Sequence, residues 1–244
     1  MYLDVFKNFK KHCMTGISFM IPVIVLGGFC TALGRLFGDV ETVGSLGQVF
    51  LAAGSAAFTV MMGVLCAGIA YSICGKPGIA PGIIAGYLSN AVKASFLGAV
   101  FCGFLIGLLI LWMQKSLPQS KAMKSLYPIV IYPVISGIIA VLCVMFLVGP
   151  PLAALTQYLV DLFMNMTGVS KFVLGFMMGC MTGFDMGGPV NKAAYVTGTV
   201  LLGEGNTAFM AGVSAACIAP PLITTVAVLL FKNRFDTNER NAGL

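Results

Sequence analysis

The chain has 244 residues, of which 59% are hydrophobic and 9% charged, with a formal net charge of +6 and a mean hydropathy of +0.98. A soluble domain carries about a quarter charged residues, so an ordinary soluble fold is excluded, and the long apolar runs specify an all-α polytopic membrane protein. The surplus lysines and arginines stand beside those runs, where they orient segments and touch anionic lipid, so nucleic acid is excluded as a partner.

Residues 1–12 set Lys7, Lys10 and Lys11 against Asp4, with Val5, Phe6 and Phe9 interleaved. This is an amphipathic lead-in on the membrane surface, and the positive-inside rule puts the N-terminus in the cytoplasm. Residues 13–34 are uncharged and long enough to span, with Pro22 and Gly27-Gly28 as expected bends. Arg35, Asp39 and Glu41 make a loop of net negative charge suited to the outer side. Within the uncharged run 42–75 the crossing is expected over 55–74, and Lys76 marks the return.

Residues 77–92 carry Gly78, Gly82 and Gly86 at four-residue spacing, a ridge that permits close helix approach. The segment reads as a short span or a re-entrant hairpin. The linker 114–124 holds Lys115, Lys121 and Lys124 with no acid and belongs in the cytoplasm, so with a span at 94–113 residues 77–92 are required to cross. Residues 125–148 form the next span, containing Pro128 and Pro133 and ending outside at Gly149-Pro150-Pro151.

Past that double proline, Leu152, Leu155, Leu159, Leu162, Phe163 and Met166 share one helical face, while Gln157, Asp161 and Asn165 share the other. Residues 151–168 are therefore expected as an interfacial amphipathic linker between N-terminal helices, 1–150, and a transport region, 169–244. Gly175, Gly179 and Gly183 repeat the close-packing spacing. Crossings over 172–184, 193–203 and 208–231, the last kinked at Pro220-Pro221, return the basic tail with Lys232, Arg234 and Arg240 to the cytoplasm. The count comes to about eight membrane-embedded segments.

The candidate site is the run Gly183-Phe184-Asp185-Met186-Gly187-Gly188-Pro189-Val190-Asn191-Lys192-Ala193-Ala194. It puts a carboxylate, an amide and an ammonium between apolar segments too short to cross comfortably as straight helices. Ionisable groups at membrane depth normally face a polar cavity and mark a substrate or ion path. Gly187, Gly188 and Pro189 make the helix hard to continue, and short segments broken by Gly and Pro point to a transporter's binding site. Asp185, Asn191 and Lys192 supply the acceptors and donors that a polar, hydrogen-bonding ligand needs, and Gly187 and Gly188 let backbone approach it. The blander alternative is an Asp185–Lys192 pair that stabilises the break.

Elsewhere, Tyr71 and Asn90 are candidate cavity residues and His12 an interfacial one. Most of the eight cysteines lie in apolar runs as small hydrophobes, no C-x-x-C pair occurs and His12 is the only histidine, so no metal or cofactor is expected. An ion- or proton-coupled secondary transporter is the competing function, and it would lean on Asp185 for coupling.

The central run resembles the signature of the fructose-type membrane subunit, the IIC component, of the bacterial phosphoenolpyruvate-dependent sugar phosphotransferase system. The opening Lys11-His12-Cys13-Met14-Thr15-Gly16-Ile17-Ser18-Phe19-Met20-Ile21-Pro22 is similar to that family's start, as are Ile69-Ala70-Tyr71-Ser72, Lys76-Pro77-Gly78-Ile79-Ala80-Pro81-Gly82 and Gly149-Pro150-Pro151. The resemblance implies a permease in the bacterial cell membrane that takes fructose or a related sugar at mid-membrane. A IIB partner, phosphorylated on cysteine by IIA, then phosphorylates the sugar at the cytoplasmic face, where Lys192 is placed to attract phosphate. It also implies a homodimer through the N-terminal helices, IIA and IIB supplied from outside this stretch, and Cys74, at a helix end, left unphosphorylated. Family members continue into helices carrying a Gly-Ile-Thr-Glu-Gly type motif that Glu204 does not match. The chain is thus expected to be a shortened form holding part of the sugar site, and a non-transporting fragment is the third reading.

Overall fold

The computed structural model describes residues 2–38, 42–117, 126–164, 169–184, 194–195, 197–198, 201–202, 207–231, 234–236 and 238–240. Every regular element among them is helical: α1 (Tyr2–Lys7), α2 (Phe9–Phe37), α3 (Leu46–Cys74), α4 (Ile79–Ala91), α5 (Ser95–Ser116), α6 (Tyr132–Leu142), α7 (Gly149–Met164), α8 (Val169–Phe184) and α9 (Thr207–Leu230). The chain divides into two compact units, Met1–Tyr158 and Leu159–Leu244.

In the first unit α3 is the hub, with α2, α4 and α5 packed around it. Its ends are set locally. The Ser45 hydroxyl accepts from the Gln48 amide at 3.1 Å while Gln48 Oε1 accepts from the Gly44 amide at 2.7 Å, and Gly75, at φ +78°, closes the other end by donating to the Tyr71 carbonyl. From Met61 to Ala70 nearly every side chain is buried, which requires neighbours on all sides.

Those neighbours come close because glycine lets them. A Cβ on Gly68 would stand 2.8 Å from the Gly16 Cα, one on Gly27 3.1 Å from the Ala57 Cβ, and one on Gly34 2.9 Å from the Gly47 carbonyl oxygen. Gly27 is thus a contact between α2 and α3, where a bend was expected. The Gly78, Gly82 and Gly86 ridge meets α3 as its spacing predicts, with positions for a Cβ 2.9 Å from the Ala70 Cβ, 2.6 Å from the Ala67 Cα and 2.8 Å from the Gly63 Cα. In lipid there is no hydrophobic drive between helices, so this backbone proximity supplies the association through dispersion. Outward faces carry the large apolar side chains, such as Val25, Phe29, Ile84, Ile129 and Phe146.

Five helices among the described residues are long and apolar enough to cross a membrane: Phe9–Phe37, Leu46–Cys74, Phe96–Ser116, Tyr127–Leu155 and Thr207–Leu230. The second is one unbroken helix, longer than the crossing expected over 55–74. The expected crossing over 77–92 takes the form of a 3-10 turn, Lys76–Gly78, followed by α4, whose 13 residues reach about 20 Å, against about 30 Å of hydrocarbon.

The span over 125–148 was expected to end at Gly149-Pro150-Pro151, but the helix does not stop there. Helix runs without interruption from Tyr127 to Met164. The stretch just before the prolines, Cys143–Val148, is a π-helical turn, and a second, Tyr127–Ile131, precedes Pro133. A π turn widens the helix and shifts its hydrogen bonds by one residue, which relieves the clash between a proline ring and the carbonyl four residues back.

In the second unit α8 packs against α9. The core holds Met178, Ala194, Leu201, Phe209 and Val213, with Leu174, Met181, Tyr195, Met210 and Cys217 against it. α9 continues through Pro220 and Pro221; the Thr224 hydroxyl donates to the Pro220 carbonyl at 2.6 Å and the Thr225 hydroxyl to the Pro221 carbonyl at 3.0 Å. The glycine ridge of α8 faces away from this core. Among the described residues nothing lies within 4 Å of where a Cβ on Gly175, Gly179 or Gly183 would stand. The core is built on the Leu174, Met178, Met181 and Thr182 face, and a residue one position along is turned about 100° away from it.

Candidate functional site

Asp185, Gly187, Gly188, Asn191 and Lys192 all lie outside the described residues, so the site is defined by what holds its two ends. On the near side Thr182 is fully buried and its hydroxyl donates to the Met178 carbonyl at 2.7 Å. On the far side Ala194 is fully buried in the same core cluster, followed by Tyr195 packed against it. Gly198 then lies against α9, where a Cβ would meet the Met210 sulfur at 3.0 Å. The nine residues 185–193 are thus flanked in the chain by two buried positions, Thr182 on α8 and Ala194 in the core. A short segment held at both ends by packing can present polar groups at reproducible positions.

A second polar constellation, which the sequence did not reveal, occupies the lysine-rich end of the first unit. His12 is expected at an interface but is buried, in the seam between α2 and α3 and edge-on to Phe104 of α5 at 6.1 Å between ring centroids. Its Nδ1 stands 2.8 Å from the Ser72 hydroxyl. Ser72 donates to the Thr15 hydroxyl at 3.3 Å, and Thr15 donates to the Lys11 carbonyl at 3.0 Å. The four groups thus form a continuous polar chain from the His12 ring to the Lys11 carbonyl across the α2–α3 seam. Three polar residues among apolar ones near the ends of two neighbouring runs were the only available signal.

Tyr71 is exposed over about two fifths of its surface (39%) and packs its ring on Phe19, with centroids 5.7 Å apart; Asn90 lies in the last turn of α4. The Cys74 thiol donates to the Ala70 carbonyl at 3.1 Å, at the last residue of α3. Lys93 turns the chain from α4 into α5 with φ +60° and donates its amide to the Asn90 carbonyl at 3.0 Å. Among the described residues no three His, Cys, Asp or Glu side chains come together in a metal-binding group.

The family model described as "Phosphotransferase system, EIIC" matches residues 14–239. The chain is 34% identical to the "Fructose-like permease IIC component 2" of Escherichia coli (strain K12), over 99% of this chain and 68% of that one. It is 35% identical to the "PTS system fructose-specific EIIC component" of Haloferax volcanii, over 87% of this chain and 64% of the relative. It is 40% identical to the "PTS system fructose-specific EIIB'BC component" of Rhodobacter capsulatus, over 95% of this chain and 41% of the relative. The chain thus spans about two thirds of the first two relatives and about two fifths of the third. No solved structure matches it.

Proposed function

The chain belongs to the EIIC family of the phosphotransferase system, and on that premise we propose that it is the membrane permease subunit that brings fructose or a related sugar to a IIB partner for phosphorylation. The observation that carries this is the family match across residues 14–239, supported by relatives named for fructose and, in the Rhodobacter capsulatus protein, for a fused EIIB. Asp185 and Asn191 hydrogen-bond sugar hydroxyls, Gly187 and Gly188 admit the ligand close to backbone, and Lys192 draws the phosphate carried by IIB. The two buried anchors Thr182 and Ala194 favour this use of the segment between them. Residues 1–150 serve as scaffold and 169–244 as part of the transport region, joined through 151–168. The N-terminus is cytoplasmic in the cell membrane, IIA and IIB complete the system, and two copies associate through the N-terminal helices.

The test is phosphoenolpyruvate-dependent uptake of labelled fructose in cells lacking their own fructose system, with the general phosphotransferase proteins and a fructose-type IIA and IIB pair supplied. Wild type is compared with Asp185→Asn and Lys192→Ala at matched membrane levels. Fructose phosphate accumulates with wild type and falls at least tenfold in both variants. Uptake of unmodified fructose that a proton uncoupler abolishes would instead mean ion coupling, and full activity in both variants would remove the motif from the site.

A further inference from the structure

Between α4 and α6, in the first unit, lies a groove of about 460 Å³ lined only by aliphatic side chains and proline rings, among them Pro81, Ile84, Pro133, Val134, Ile138 and Leu142. Ile84, Val134, Ile138 and Leu142 are each more than half exposed, so the groove opens outward and not into the helix bundle. Its floor is Gly137, where a Cβ would stand 3.2 Å from the Pro81 Cβ.

The two helices run in the same direction. Pro81 is beside Gly137, and further along Val92 is within 3.3 Å of a Cβ position on Gly149. Lys76, five residues before Pro81, is therefore level with the start of α6, and its 3-10 turn packs beside the Tyr127–Ile131 turn. It is exposed and forms no ion pair among the described residues. From Pro133 to Leu142 the helix rises about 14 Å, close to half of the roughly 30 Å hydrocarbon core. The groove thus has the length of one leaflet, an apolar wall throughout and a free cation at one end.

We propose that this groove binds one anionic phospholipid, with an acyl chain along α6 and the headgroup held by Lys76. A second copy of the chain fits less well. A twofold axis along the membrane normal sets identical residues at the same depth, so a groove-to-groove contact would bring Lys76 toward the partner's own ammonium. A phospholipid brings the opposite charge at the required end and a flexible chain that follows an open apolar trough.

The full chain is purified in detergent and titrated with phosphatidylglycerol or phosphatidylcholine of the same acyl composition, and bound lipid is counted by native mass spectrometry. Wild type is expected to retain one lipid with about a fivefold preference for phosphatidylglycerol, the worth of one lysine near an anionic headgroup. Lys76→Gln should bring the two lipids to parity without loss of phosphatidylcholine binding. Val134→Trp and Ile138→Trp, which fill the trough from its exposed wall, should each lose the retained lipid. A Lys76→Gln protein that keeps the preference, or a monodisperse tryptophan variant that keeps the lipid, overturns the proposal. So does an Ile138→Cys protein that forms disulfide-linked pairs in native membranes, since a second copy would then occupy the groove.

Discussion

Gly82 and Gly179 occupy the middle of two ridges with the same spacing, and alanine at each should move stability in opposite directions. In a helix interior Gly→Ala gains about 1 kcal/mol. At Gly179 nothing opposes that gain, because no described atom lies within 4 Å of the added methyl. At Gly82 the methyl would stand 2.6 Å from the Ala67 Cα and 2.9 Å from the Ala67 nitrogen, both backbone atoms that no rotamer change can move. Ordinary carbon contacts begin at about 3.5 Å, so α4 must back away from α3 by about 1 Å, which forfeits up to half of the attraction at each contact. Overpacking of this kind costs about 1–3 kcal/mol, leaving a net loss of up to about 2 kcal/mol after the helix gain is subtracted. The assay is the melting temperature of purified protein in detergent, read from the surviving monodisperse peak after heating. Gly179→Ala should rise by about 2–4 °C and Gly82→Ala fall by up to about 8 °C. Shifts of the same sign would refute the claim that the two ridges face different surroundings.

The His12 relay predicts coupling. Ser72→Ala should cost about 1 kcal/mol by leaving His12 Nδ1 without its hydroxyl partner, while His12→Phe combined with Ser72→Ala should recover much of that loss, as melting curves of the single and double variants would reveal. Lys93→Gly should stabilise by about 0.5–1 kcal/mol, since φ +60° strains a residue with a Cβ; an unchanged or lower melting temperature would contradict it. Exchanging the charges, Asp185→Lys with Lys192→Asp, separates a structural pair from a sugar site. A pair recovers both the melting temperature and fructose uptake relative to the single variants, whereas a site recovers neither uptake nor sugar phosphorylation.

Much of the fold was readable because lipid simplifies the rules. Uncharged runs had to be helices, and the Gly78, Gly82 and Gly86 ridge had to allow a close neighbour, which proved to be α3. Spacing states what a face permits and not what lies opposite it. The same pattern on α8 meets no described neighbour, and the pairing of Gly16 with Gly68 and of Gly34 with Gly47 went unread because partner choice is a property of the whole bundle. Gly149-Pro150-Pro151 misled for a local reason. A proline pair ends a helix only if the preceding turn stays α-helical, and the π turn at Cys143–Val148 removes that condition.

The candidate site is legible in the sequence as chemistry alone, and helix arithmetic says what either reading of its charges requires. Asp185 and Lys192 are seven residues apart, so on an unbroken helix they would share a face but stand about 10 Å apart along the axis, too far for a direct ion pair. Neither a pair nor a shared sugar contact forms unless Gly187, Gly188 and Pro189 let the chain turn between them. A turn within a membrane leaves backbone groups to be satisfied and charges to be shielded, which only a cavity with fixed walls can do. Thr182 and Ala194 are the two buried positions that the described residues set beside that stretch. Changing Ala194 to a larger residue should therefore lower activity as severely as removing Asp185, although its methyl has no chemistry to contribute.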